Sequence, residues 1–208
     1  GHQDWIAEIR SLSPSLCHFS LFVGFEGDIQ KAGATRSNHW IYPTGKADVI
    51  WEDVPDSPPP GLFVSFASLK DPSHDPGPDQ RYAGEIVAWT DWSVVEKWAD
   101  LSPGARGDDY RAFKARVEDA MFAQFAAYFP DLAKLVVFRN LSTPLTTATI
   151  TGHHQGGFYG IETSPERLLS NALQAKTPIP GLHLSGQDVL SPGIPGALWG
   201  GLLAAASV

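Results

Sequence analysis

The chain is nearly without cysteine: Cys17 stands alone among 208 residues. No disulfide can close within one copy, and no thiolate metal site can form. Such usage fits a reducing compartment, so a cytoplasmic setting is the expectation. Clustered positive charge is missing too. The 15 Lys and Arg residues are scattered singly, against 23 Asp and Glu, for a net charge of −8. Without a basic face no nucleic-acid partner is expected. Charge gives no pull toward an anionic membrane surface either.

The remaining absences concern motifs. No Gly-x-Gly-x-x-Gly turn occurs: "GHHQGG" at 152–157 has no second glycine in place, and Gly193, Gly196, Gly200 and Gly201 are spaced three, four and one apart. No Gly-x4-Gly-Lys-Ser/Thr loop occurs, so the chain carries no independent phosphate cradle. No Gly-x-Ser-x-Gly elbow is present, which counts against a serine hydrolase. His153 and His154 are neighbours that would face opposite ways in a strand, and the other five histidines show no ligand spacing. No metal is expected. The first fourteen residues have no apolar core segment, so no leader is expected. The longest apolar stretch, Ile194 to Val208, is too short to span a bilayer.

What is present describes a globular chain that can bury roughly 70% of the surface it would expose unfolded. Seven Trp and eleven Phe with only 18% charged residues suit much apolar surface, some of it for a ligand or partner. "SLCHFSLFVGFEG" (15–27) reads as a strand ending at Gly24 or Gly27. "ATRSNHWIYP" (34–43) reads as a short extended piece stopped by Pro43. "LFVSFASL" (62–69) and "YAGEIVAWTDW" (82–92) read as a pair of strands between loops rich in proline. The period then changes. Phe113, Val117, Ala120, Met121, Phe125 and Tyr128 make one helical face, with Asp108 or Asp109 to cap its start and Pro130 to end it. Such a helix would cover one face of the sheet. "KLVVFRN" (134–140) reads as a strand, and "TTATITG" (146–152) as extended. The fold expected is α+β, a mixed, largely antiparallel sheet covered by helices. From Lys176 onward the pattern differs: "GLHLSG" (181–186) reads as a short buried strand leading to a small-residue helix, "PGALWGGLLAAA".

That last stretch has a ligand reading. Gly186 would let the backbone approach a ligand closely. Asp188 could accept hydrogen bonds from sugar or ribityl hydroxyls. Pro195 suits the first turn of a helix whose free N–H groups favour negative charge on a bound ring. Spacing alone favours a strand–turn–helix packed by small residues for fold reasons only.

"TPIPGLHLSGQDVLSPGIPGALWGGLLAA" (177–205) resembles the C-terminal flavin segment of the phytoene desaturase, carotenoid isomerase and retinol saturase family. "GLFVSFASLKDPSHDPG" (61–77), "YRAFKARVEDAMFAQFAAYFPDL" (110–132) and "STPLTTATITGHHQGGFYGIE" (142–162) resemble further segments, in that family's order. The likeness covers the chain from about residue 15. The last motif is shared with other two-domain flavoproteins, and the "TPLT…GGFYG" pair points to the polyene branch.

The resemblance implies an FAD-dependent oxidoreductase that desaturates, saturates or isomerises a polyene or isoprenoid by hydride transfer. It implies that this chain is similar to the C-terminal part only, with residues 1–175 as a substrate-binding sheet domain and 176–208 as the last segment of the FAD domain. FAD would then belong to the full-length parent, and this chain alone would hold it poorly and be inactive. Gly186 and Asp188 would contact the ribityl and phosphate region. Gly193, Ile194, Pro195, Gly196 and Ala197 would set backbone against the ring. Thr143, Pro144, Thr146, Gly157, Tyr159 and Gly160 would line the substrate channel. The partners implied are a missing N-terminal FAD domain or chain and an apolar small molecule, with peripheral membrane contact left open. A bared domain face should promote self-association. The alternative is a non-catalytic module that binds a lipid or a partner, or one half of a split flavoprotein.

Overall fold

The computed structural model describes residues 2–47 and 50–208. Five strands form one antiparallel sheet: β1 (Cys17–Glu26), β2 (His39–Ile41), β3 (Leu62–Ser65), β4 (Arg81–Thr90) and β5 (Val136–Ser142), in the order β2-β3-β4-β1-β5. Among the described residues six α-helices accompany it: α1 (His2–Ser11), α2 (Gly107–Tyr128), α3 (Pro130–Ala133), α4 (Pro144–Thr151), α5 (Pro165–Leu169) and α6 (Gly193–Ala206). The expected α+β class therefore holds, and an observed strand overlaps each of the stretches 15–27, 34–43, 62–69, 82–92 and 134–140.

Alternation in β1 splits the sheet into two faces. Cys17, Phe19, Leu21, Val23 and Phe25 point to one side and are all buried. Leu62 and Val64 of β3, with Ile86 and Ala88 of β4, join them. Helix α2 closes this face with Val117, Met121 and Phe125, three residues of the expected helical stripe, and each is wholly buried. Each such side chain contributes about 1.5–3 kcal/mol by leaving water. Phe25, Phe66, Phe125 and Phe129 meet in tilted and edge-on ring pairs at 5.3–6.5 Å. At the sheet's margin, Arg139 of β5 pairs with Glu118 and Asp119 of α2.

Four local expectations are corrected. Residues 146–152 do not extend: the helix α4 occupies 144–151. Its Thr and Ile residues favour strands, yet Thr143–Pro144 opens a helix and Gly152 closes it with φ 72°. The strand at 62–69 stops at Ser65, and a single 3₁₀ turn follows over Ala67–Leu69, which still buries Leu69. Neither Asp108 nor Asp109 caps α2. Arg106 stands at the N-cap, while Asp108 pairs with Arg111 and Asp109 with Lys97. Finally, "GLHLSG" forms no buried strand. Leu182 is exposed, His183 and Leu184 are half-buried, and one bridge joins Lys176 to His183. Thr177 Oγ1 instead donates to the Leu182 carbonyl at 2.8 Å and shapes a loop.

Helix α1 lies outside anything the pattern suggested. It pins the later loop: Trp5 Nε1 donates to Ala172 O at 2.9 Å, and Ser170 Oγ donates to Glu8 Oε1 at 2.7 Å.

Candidate functional site

Among the described residues, no long helix lies over the second sheet face. Register brings Trp40, Phe63, Val87, Ser20 and Ser142 into one row across all five strands. His18 and Trp89 pair in the next row. Trp40 stacks on Trp89 at 5.5 Å and 11°, and meets Phe63 edge-on at 5.0 Å. Trp40 stays 56% exposed and Phe22 45% exposed, so the face is aromatic and open.

Residues 157–162 fold over one end of it. Ser15 N donates to Gly160 O (2.7 Å), Phe158 N to Leu16 O (2.9 Å) and Glu162 N to Ser13 O (2.9 Å). Tyr159 N donates to Ser15 Oγ at 2.8 Å. These bonds set the Phe158 ring 4.5 Å from His18 and 4.2 Å from Tyr159. Between this flap and the tryptophans lies a cavity of about 430 Å³, walled by Trp40, Trp89, Leu16, Ile50, Phe158 and Tyr159. Beyond Phe158 a second cavity of about 340 Å³ runs between the sheet and α4, past His18, Ser20, Phe22, Thr146 and Ile150. Both volumes suit a small-molecule ligand.

The polar groups here are few. Burial pushes the His18 imidazole down to about 4, so it is neutral at ordinary pH, and its Nδ1 is buried without a partner. Cys17, on the opposite face, is held as a thiol: burial first, then the Asp91 charge, pushes it up to about 12. Its Sγ donates to Gln155 O at 2.9 Å.

The channel residues named from the sequence fall into two groups. Tyr159 lines the first cavity and Thr146 the second. Thr143, Pro144, Gly157 and Gly160 are framework. Thr143 is fully buried and shares a 2.7 Å hydroxyl pair with Tyr110 of α2, while Pro144 opens α4. Gly157 packs on Ser15. Gly160 has φ 71°, and a Cβ there would lie 2.5 Å from the Asp188 carboxylate.

The C-terminal segment docks through that carboxylate. Asp188 Oδ1 accepts from Ile161 N at 2.9 Å. Arg167, 4% exposed, donates to the Ile161 carbonyl and, at 2.8 Å, to Gln187 O. Asp188 thus turns partly inward, with 39% of its side chain exposed. The close approach here belongs to α6 and not to Gly186: a Cβ on Gly186 would meet nothing, whereas one on Gly200 would collide with the Gly186 carbonyl. Gly196 likewise sits on Ser191. Ile194, Pro195 and Ala197 are exposed at the start of α6. Gly193 N donates to Gln187 Oε1 at 3.0 Å, and a Cβ added at Gly193 would lie 3.9 Å from the Tyr159 ring. Tyr159 therefore stands between the aromatic cavity and the α6 N-terminus.

Trp40, Trp89, Phe158 and His18 were not legible as a site. The available signals were the alternation His18-x-Ser20-x-Phe22 and the high Trp content, but only pairing shows which faces coincide. Among the described residues no cluster of three or more His, Cys, Asp or Glu side chains could hold a metal. No helix there is long and apolar enough to cross a membrane.

An antiparallel α+β sheet with one packed and one open aromatic face is the class these features define. No family model matches the chain. It is similar to all-trans-retinol 13,14-reductase of Rattus norvegicus, 29% identical over 211 residues that cover 97% of this chain and 35% of that protein. The human protein of the same name is 28% identical with the same coverage. A Danio rerio relative, named inactive all-trans-retinol 13,14-reductase, is 29% identical over 96% of this chain and 34% of its own length. The chain thus spans about a third of the length of these relatives.

Proposed function

We propose that this chain is the substrate-binding part of a flavin-dependent oxidoreductase that acts on a polyene or isoprenoid. The observation that carries the reading is the aromatic cavity on the open sheet face, which ends at Tyr159 beside the α6 N-terminus. The stacked Trp40–Trp89 pair offers flat, polarisable area to a conjugated or branched hydrocarbon. The likeness to proteins named retinol reductases supports the same substrate class. One relative carries the word inactive in its name, so likeness at this level does not by itself carry activity.

On this reading residues 1–175 hold the substrate and 176–208 complete a flavin domain whose remainder lies outside this chain. FAD fits the exposed start of α6 in part: Ile194 and Ala197 are open to it and Pro195 stiffens the turn, whereas Gly196 is buried against Ser191. The fit is weaker at Asp188, whose Oδ1 is already used by Ile161 N. When bound, a flavin would give or take the hydride. The chain's own residues orient the chain of the substrate along the tryptophans, exclude water with Phe158 and Tyr159, and fix the distance to α6 through Arg167 and Asp188.

Titration of all-trans-retinol against tryptophan fluorescence tests this. Saturable quenching is expected, and Trp40→Ala with Trp89→Ala should weaken it by about tenfold or more, the loss of two large apolar contacts. Unchanged binding in that double variant would move the ligand elsewhere. A non-catalytic lipid-binding module is the second reading, favoured by the likeness to a relative whose name carries the word inactive. Restored turnover on adding the flavin domain of a relative would decide against it.

A further inference from the structure

Within the second cavity one group stands apart. His18 pairs in register with Trp89, which walls the first cavity, and its ring lies on Phe158, which borders both. It therefore sits at the seam between an aromatic compartment and one that also carries Ser20, Ser142, Thr146 and Thr147. Among these hydroxyls, Thr146 Oγ1 is engaged, accepting from Thr143 N at 3.2 Å. The imidazole makes no hydrogen bond to any described residue, and its Nδ1 is fully shielded. Nε2 is not among the shielded unpartnered atoms, so it is the ring nitrogen that a ligand in this cavity can reach.

We infer that His18 is a specificity residue that hydrogen-bonds the hydroxyl of an isoprenoid alcohol through Nε2, with the alcohol's hydrocarbon chain lying over Trp40 and Trp89. The inference rests on the reading of the aromatic cavity as the substrate site. A neutral imidazole has one N–H and one lone pair, so it can meet a hydroxyl as donor or acceptor. Glu85 and His153 are the other titratable groups lining this compartment, and His153 Nδ1 is engaged with the Gly157 carbonyl at 2.8 Å. A pure hydrocarbon would leave Nε2 without a partner, whereas Nδ1 is unpaired with either ligand, so the site discriminates for the alcohol through Nε2.

The experiment is a double-mutant cycle in the full chain, read by tryptophan quenching. The two probes are all-trans-retinol and the hydrocarbon in which a methyl replaces its CH2OH. His18→Leu should weaken retinol about fivefold more than it weakens the hydrocarbon, the worth of one neutral hydrogen bond. His18→Gln, which keeps a donor and an acceptor, should recover most of the difference, and circular dichroism checks that both variants fold. Equal loss for both probes, or no loss for either, overturns the role of His18 while leaving the cavity reading standing. Failure of both probes to bind the unaltered chain overturns the two together.

Discussion

His18 and Cys17 are neighbours in sequence on opposite faces of β1, and burial moves both away from their charged forms. For His18 the folded pKa of about 4 lies below the ordinary 6.5. The unfolded chain then binds the extra proton first, so stability falls as pH drops from about 6.5 toward 4. Between pH 7 and pH 5 this amounts to about 2 kcal/mol. Urea unfolding at the two pH values should show that His18→Leu loses less stability than the unaltered chain over this window. Equal losses would mean that the imidazole titrates freely. Cys17, pushed up to about 12, should resist alkylation in the native chain and react once denatured. Rapid labelling of the native chain by iodoacetamide would contradict the burial of β1.

At the scale of elements, glycines decide how the C-terminal segment is held. Helix α6 buries only Gly196 and Gly200, and it leans on the 186–191 turn through them. Any side chain at Gly200 must displace the Gly186 backbone. Gly200→Ala should therefore cost the docking of α6 about 1–3 kcal/mol, as overpacking generally does. Hydrogen exchange should show faster exchange over 187–206 with the β1–β4 pair unchanged. A uniform change across the chain would show that α6 is part of one cooperative unit with the sheet. Gly160→Ala should act on the same joint from the other side, by pushing Asp188 off Ile161 N. The strand pattern of β1 and β4 and the α2 stripe were legible because alternation and a 3.6-residue period report a face directed at a core. Helix α4 was missed because β-branched content outweighed the caps that bracket it. "GLHLSG" was misread because an apolar run of six does not reveal whether anything covers it.

For the whole molecule, the unbalanced surface is α6 and its neighbours. Ile194 is 79% exposed and Leu198 71% exposed, with Trp199 and Leu202 also open to solvent. Leu168 and Leu169 of α5 add to the bare apolar area. Patches of this kind seldom stay uncovered. The chain should self-associate with concentration in light scattering, and Leu198→Glu with Leu202→Glu should return it to monomer. A monodisperse unaltered chain at high concentration would argue that the patch is too broken to associate. Flavin content belongs to the same scale. The chain alone should show little heat on titration with FAD, since no phosphate loop accompanies the α6 N-terminus. Tight binding would show that this segment suffices.

The sequence by itself determined the class of fold, the strand and helix that build the core, and the resemblance that suggests a polyene substrate. These are local or periodic properties, written in consecutive residues. Only the tertiary structure decided that Trp40, Trp89, Phe158 and His18 share one open face. Strand order and register carry that information, and they bring together residues up to 140 positions apart. It also decided that Asp188 turns toward Ile161, whose backbone N–H donates at 2.9 Å to a carboxylate that sequence alone leaves free, with the buried Arg167 guanidinium 3.8 Å away.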